Sequence, residues 1–171
     1  MVTLDTLRLH LRQPTVDDFE AAHALTEAPT MRVFLGRDPP SREDSFNRHL
    51  RNAGCWALFG HGPFIIDEIG GARHVGGCGL FRGLRGVGDD FDPYPEAVWV
   101  ISEAYWGQGY AAEAMTAILG WFDAAFGGRS VCMIEPGHTR SERIAAKLAY
   151  REIGVATYKG DEVMRYARDP A

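Results

Sequence analysis

Between Ala97 and Ala114 the chain reads AVWVISEAYWGQGYAAEA: an apolar run, a glycine-bearing turn, and the opening of a helix. Residues of these types in this order can hold an anion. Small residues let main-chain N–H groups approach a phosphate, and the partial positive charge of a helix N-terminus favours negative charge at the same point. Gly107, Gln108, Gly109, Tyr110 and Ala111 stand where this would happen. By itself such a turn also serves as a plain strand-to-helix connection. Further on, EPGHTRSERIAAKLAYREIG (Glu135 to Gly154) reads as a strand end, a turn, a short helix and another strand.

Together these segments resemble the GNAT superfamily of acyl-CoA-dependent N-acyltransferases. Within it they are similar to the branch typified by the ribosomal-protein N-terminal acetyltransferases (RimJ/RimL-like). The resemblance rests on Trp106-Gly-Gln-Gly-Tyr-Ala-Ala-Glu113-Ala, on Glu135-Pro-x-x-x-x-Ser141 and on Lys147-Leu-Ala-Tyr150. Thr6-Leu-Arg-Leu-His-Leu-Arg12 followed by Thr15-Val-Asp-Asp18 looks like the opening of that branch, so the match covers nearly the whole chain. It implies a mixed α+β GNAT fold: a mostly antiparallel twisted sheet of about six to seven strands, flanked by about four helices. In that fold a splayed pair of strands holds the cofactor, acetyl-CoA.

Acyl transfer to an amine requires a neutral amine, a polarised thioester carbonyl and a proton for the departing thiolate. By the resemblance, backbone N–H groups of Trp99, Val100 and Ile101 hold the pantetheine and face the carbonyl oxygen. Ser141 takes the serine position whose hydroxyl reaches the CoA sulfur, which makes it the general acid; its other reading is a cap at the start of the helix Thr139 to Leu148. Many relatives use a tyrosine one turn later, where this chain has Ala145. The branch's cofactor-steadying asparagine is His138 here, and an imidazole can donate one hydrogen bond and titrate near neutral pH. Glu96 matches the acidic position of the amine-side base, with Asp92 in reserve and an ordinary edge charge as the alternative. An exposed carboxylate titrates near ~4 and would need burial to serve efficiently. Glu113 complements the helix dipole.

Length and composition agree with a single domain over residues 1–171: 46% of residues are hydrophobic and 24% charged. The net charge of −5 argues against a nucleic-acid partner and for a cationic one. No apolar run approaches the ~20 residues that cross a bilayer, and no cationic leader precedes Asp5, so a cytoplasmic protein without membrane attachment is expected. Cys55, Cys78 and Cys132 are widely spaced and read as buried thiols. The six histidines show no metal-ligand spacing, so no metal is expected. A homodimer is compatible with the fold, although no residue demonstrates one.

Leu7, Leu9 and Leu11 alternate with polar residues, which predicts a strand over Thr6 to Arg12. Thr15 with Asp18 predicts a helix to about Thr26, and Ser41 with Asp44 a second helix ending at Gly54. Three short strands follow over Cys55 to Phe59, Pro63 to Glu68 and His74 to Leu80, then a mobile loop over Arg82 to Pro95. Glu96 to Ile101 is the strand before the turn. The next helix carries Ala111, Met115, Ile118, Leu119, Phe122 and Phe126 on one face and stops at Gly127-Gly128. Ser130 to Ile134 reads as a buried strand, and Arg151 to Tyr158 with Glu162 to Arg168 as a closing hairpin.

The function this points to is acetyl-CoA-dependent transfer of an acetyl group to a primary amine, on a protein N-terminus or a small molecule, by direct attack in a ternary complex. Three rivals stand beside it. Gly107-x-Gly109-x-x-Ala112 with Glu135 also fits a dinucleotide fingerprint, but five residues separate Ile101 from the first glycine and little chain follows. A ping-pong route would use Cys132, whose apolar setting speaks for an inert thiol. A non-catalytic acyl-CoA-binding module would keep the turn without turnover. The acceptor side falls to Arg32 to Arg51 and Arg82 to Glu96, and nearby Trp56, Phe91, Tyr94, Asp89, Asp90 and Asp92 suit a cationic amine.

Overall fold

The computed structural model describes residues 1–31 and 39–170. Residues 32–38 of the expected acceptor-side segment lie outside the described residues. The strands are β1 (Thr3–Asp5), β2 (Leu9–Arg12), β3 (Pro63–Glu68), β4 (Gly76–Phe81), β5 (Glu96–Ile101), β6 (Ser130–Ile134), β7 (Arg151–Tyr158) and β8 (Asp161–Arg168). They form one eight-stranded sheet in the order β1-β2-β3-β4-β5-β6-β8-β7. Every neighbouring pair is antiparallel except β5 and β6. The helices are α1 (Phe19–Glu27), α2 (Arg42–Phe59), α3 (Tyr110–Ala125) and α4 (Thr139–Lys147).

α3 fixes the sheet. Tyr110, Ala114, Met115, Ile118, Leu119 and Phe122 are buried in one cluster with Leu9, Leu11, Phe64, Ile66, Cys78, Leu80, Ala97 and Ile101. Burial is worth roughly 1.5–3 kcal/mol for each large apolar side chain, so this face outweighs the weak helix propensity of Gly120. The expected stripe holds at its centre, while Phe126 ends as the partly exposed C-cap residue before Gly127.

Two expected elements differ. α2 does not stop at Gly54 but runs through Cys55 to Phe59, so no strand forms there. A mid-helix glycine costs about 1 kcal/mol. Beyond it Cys55 is buried, and Trp56 packs edge-on to Phe64 and against Trp121 while its indole N–H donates to the Pro63 carbonyl at 3.0 Å. The helix ends instead at Gly60, whose left-handed φ of 73° closes the last turn. At the front, Thr6 to Arg8 is a turn rather than strand: the Thr6 hydroxyl oxygen accepts from the N–H groups of Arg8 and Leu9, and Leu7 is exposed. β2 therefore begins at Leu9, and β1 precedes the turn.

The α1 entry is as read, with Asp18 accepting from both the N–H and the hydroxyl of Thr15 at 2.8 and 2.9 Å, after which a short 3₁₀ turn (Val16–Asp18) leads into the helix. Asp18 also takes two N–H bonds from Arg12, which reaches Asp67 as well, so this ion triad ties β2, β3 and α1 together. No helix among the described residues is long and apolar enough to cross a membrane.

Candidate active site

The parallel junction is where the sheet opens. β5 and β6 share one register pair, Glu96 with Val131, next to a bond from the Val131 N–H to the Pro95 carbonyl. β4 meanwhile stays paired along all of β5, from Phe81 with Glu96 to Gly76 with Ile101. Residues 97–101 thus have a strand neighbour on one side only, and the wedge that opens toward β6 leaves their backbone groups on that edge available to a ligand. Of the three expected donors, Trp99 and Ile101 turn their N–H groups to this edge, whereas Val100 faces β4, as does Ser102, whose N–H donates to the Val75 carbonyl at 2.9 Å.

At the wide end of the wedge β5 passes through a short 3₁₀ turn (Glu103–Tyr105) into the glycine turn. Gly107 and Gly109 both have left-handed φ, 75° and 81°, which only glycine adopts without strain. Gly109 is the N-cap of α3 and supplies no side-chain cap, so the first N–H groups of the helix, at Tyr110, Ala111 and Ala112, have no side-chain acceptor among the described residues. The turn is braced from outside. Trp106 donates to the Ile101 carbonyl at 2.7 Å, Gln108 to the Ala104 carbonyl at 3.1 Å, and Arg8 to the Gln108 carbonyl at 3.0 Å. Arg8 also lies 4.4 Å from the Tyr110 ring centre and pairs with Glu113. Glu113 accepts from Thr6 and Arg8, so it is a latch between the β1–β2 turn and α3 as well as a charge in the first helical turn. Tyr110 turns its hydroxyl onto Glu68, away from any ligand role for that group. The guanidinium of Arg140 lies 4.5 Å from the centre of the Trp106 ring and brings a cation beside the turn.

Ser141 is buried, at 7% exposure, as the third residue of α4. It does not cap that helix. Its Oγ accepts the indole N–H of Trp99 at 3.2 Å and lies 3.4 Å from His138 Nε2. The serine is thereby held against the open strand by a side chain that the strand itself supplies. His138, the N-cap residue of α4, is kept below the ordinary histidine value by burial and then by the nearby Arg140 cation. It is therefore neutral at pH 7, and with its proton on Nε2 it can donate to Ser141 Oγ.

Glu96 stands at the closed end of the wedge at 5% exposure. Both its oxygens are bound by Arg85, at 2.7 Å from Nε and 2.9 Å from Nη2, and the remaining arm of Arg85 reaches the Tyr158 hydroxyl at 2.7 Å. Burial works against the Arg85 cation, but Glu96 and Tyr158 outweigh it and raise its pKa further. Because side chains alternate along a strand, Glu96 and Trp99 leave β5 on opposite faces. The two catalytic candidates thus reach the wedge from opposite sides.

The reserve base Asp92 serves the backbone instead, accepting from the N–H groups of Gly86, Val87 and Gly88 at 3.0, 3.1 and 3.4 Å. The 82–95 loop has further anchors: Phe91 is buried with Val131 and Ala167, and Arg165 holds Asp90 and the Val87 carbonyl. Of the three aspartates expected to receive a cation, two already have partners. Cys132 is 1% exposed, and burial followed by the Glu96 charge drives its thiol well above the usual range; burial takes Cys78 up to about 12. Neither is a nucleophile at neutral pH.

Three contributors escaped the sequence reading. Arg85 was invisible as the partner of Glu96, and the Trp99 side chain as the holder of Ser141, because pairing across a loop or between a strand and a distant helix leaves no periodic signal. The contact of Arg140 with Trp106 likewise joins a helix to a distant turn.

The chain belongs to the acetyltransferase (GNAT) family: the model of the acetyltransferase (GNAT) domain matches residues 8–151. It is similar to a GNAT-family acetyltransferase from Bordetella pertussis at 27% identity, covering 98% of this chain and 99% of the other with a TM-score of 0.89. An acetyltransferase from Agrobacterium tumefaciens str. C58 shares 27% identity, with 98% and 94% covered and a TM-score of 0.84. The ribosomal L7/L12 alpha-N-protein acetyltransferase RimL, solved with coenzyme A, matches over 98% of both chains at 15% identity and a TM-score of 0.77, a likeness of fold. The mixed α/β expectation is met, with eight strands rather than six or seven.

Proposed function

We propose that the chain is an acetyl-CoA-dependent N-acetyltransferase, one domain over residues 1–171, that acetylates a primary amine on a protein N-terminus or small molecule by direct attack in a ternary complex. The observation that carries this is the wedge: β5 leaves β6 after a single register pair, and its free edge leads from Glu96 to an uncapped helix N-terminus. Acetyl-CoA is the donor and supplies a thioester-bound acetyl group. The residues present fit it. The open edge offers the N–H groups of Trp99 and Ile101 to the pantetheine amides and the acetyl oxygen, and Gly107 to Ala111 offer theirs to the phosphates. His138 steadies the cofactor in place of asparagine.

Ser141 gives its hydroxyl proton to the departing sulfur. The Trp99 N–H, already bonded to Oγ, stabilises the negative charge that develops there, and a neutral His138 with its proton on Nε2 donates to the same oxygen, leaving the serine's own proton for the sulfur. Glu96 accepts the proton of the amine, and Arg85 fixes the direction of its carboxylate. Each carboxylate oxygen has a second lone pair beyond its Arg85 bond, and these receive the amine or an intervening water. The inert cysteines favour direct attack over a covalent acetyl-enzyme. A cytoplasmic location agrees with three unpaired buried thiols, and the serine at 141 together with the RimL-like fold supports the ribosomal-protein branch.

The test is CoA release from acetyl-CoA over a panel of amines. Turnover that falls at least about a hundredfold in both Ser141→Ala and Glu96→Gln supports the reading. Acetyl-CoA binding with silence across the panel would favour a non-catalytic acyl-CoA-binding module.

A further inference from the structure

The closed end of the wedge carries an excess of cations in a protein whose net charge is −5. Phe81 and Glu96 are register partners on β4 and β5, so their side chains leave the same face of the sheet. Two guanidinium groups flank that phenyl ring: Arg51 from α2, 4.5 Å from its centre, and Arg85 from the 82–95 loop at 5.2 Å. Arg85 also lies 4.9 Å from the Tyr158 ring. Arg48, three residues before Arg51 and so on the same side of α2, adds a third cation within reach of Arg85.

Only Arg85 is satisfied, by Glu96 and Tyr158. Arg51 has a single long bond to Asn52 at 3.3 Å. Arg48 makes no hydrogen bond or ion pair with a described residue; Asp44 and Tyr158 are the groups near enough to favour its charge, and Arg85 opposes it. Arg51 is opposed by Arg85 and Arg48 and favoured by Glu96 and Cys55. Partial burial first, and then these like charges, lower the pKa of both arginines. An anion placed among them would relieve that repulsion. Guanidinium forks match carboxylate and phosphate oxygens in pairs, and the phenyl ring beneath keeps two of them oriented.

We propose that Arg48, Arg51 and Arg85 form a subsite for an anionic group, carboxylate or phosphate, carried by the acceptor amine. The bound anion anchors the acceptor beside Glu96, where its amine meets the wedge. This rests on the acetyltransferase reading above and replaces the cationic acceptor expected from Asp89, Asp90 and Asp92.

Two measurements test it. Inorganic phosphate and acetate are each titrated calorimetrically into protein saturated with acetyl-CoA, and the titrations are repeated on the Arg48→Gln/Arg51→Gln double variant. Binding of either anion that weakens at least about tenfold in the variant is expected, and the anion that binds identifies phosphate or carboxylate. No heat from either anion, or equal affinity in the variant, overturns the subsite. Kinetics then compare matched acceptors: β-alanine with β-alaninamide, and O-phosphoethanolamine with ethanolamine. The anionic member of at least one pair should be preferred, and the kcat/KM ratio within that pair should fall at least about tenfold in the double variant. Turnover without such a preference overturns the subsite and leaves the acetyltransferase reading standing. Variant-sensitive anion binding without any turnover supports the subsite and counts against the acetyltransferase reading.

Discussion

Replacing Trp99 by Phe removes one N–H and keeps most of the ring. That N–H is the donor to Ser141 Oγ at 3.2 Å, and the hydroxyl's other contact, His138 Nε2 at 3.4 Å, is long. A neutral hydrogen bond contributes about 1 kcal/mol net, which is roughly a fivefold change in an equilibrium or rate constant. If the bond also stabilises charge on Oγ as the proton leaves, its value in the transition state is larger, toward ~2 kcal/mol or roughly thirtyfold. Trp99→Phe should therefore lower kcat by about five- to thirtyfold. Ser141→Ala should cost about a hundredfold or more, the usual contribution of a positioned general acid. Steady-state CoA release on the two single variants and the double variant forms a cycle, with calorimetry reporting acetyl-CoA affinity for each. In the Ser141→Ala background the Trp99→Phe step should change kcat by less than about twofold, because its partner is already gone. Independent, multiplying losses would refute a role for Trp99 through Ser141, and kcat unchanged in Ser141→Ala would refute the acid itself.

Other consequences follow from burial and charge. Cys132→Ala should keep kcat within about twofold while lowering stability by about 1 kcal/mol; lost turnover with acetyl-CoA binding intact would contradict direct attack. His61, His74 and His138 are all held below the ordinary histidine value, chiefly by burial. The unfolded chain therefore binds more protons than the folded one below about pH 6.5. Stability is complete above that value and is lost as pH falls toward the depressed folded values, so the thermal midpoint should drop between pH 7.5 and 5.5. His61→Gln should flatten the slope, and a midpoint that holds steady or rises would contradict the assignment.

Much of this was legible in the residues. β3, β5 and β6 have the bounds their apolar runs and flanking turns suggest, because a buried strand leaves a continuous pattern that turn residues close off. α2 was misread since Gly54 looks like a stop, whereas packing of Trp56 on Phe64 and Trp121 overrides a local propensity. The strand at Thr6 was misread since Leu7 keeps the alternation while lying exposed in a turn. At the site, the glycine turn and the serine position were visible as motifs. The acceptor side was not, because its character depends on which charges are already taken: the aspartates of the 82–95 loop hold its backbone and Arg165, and the arginines of α2, remote in sequence, gather at Phe81.

The central claim, that the β5 wedge and the glycine turn hold acetyl-CoA, is tested most directly by calorimetric titration of the protein with acetyl-CoA, with NAD in a parallel cell. The account predicts micromolar binding of acetyl-CoA and none of NAD. Binding of NAD alone, or of neither, would contradict it.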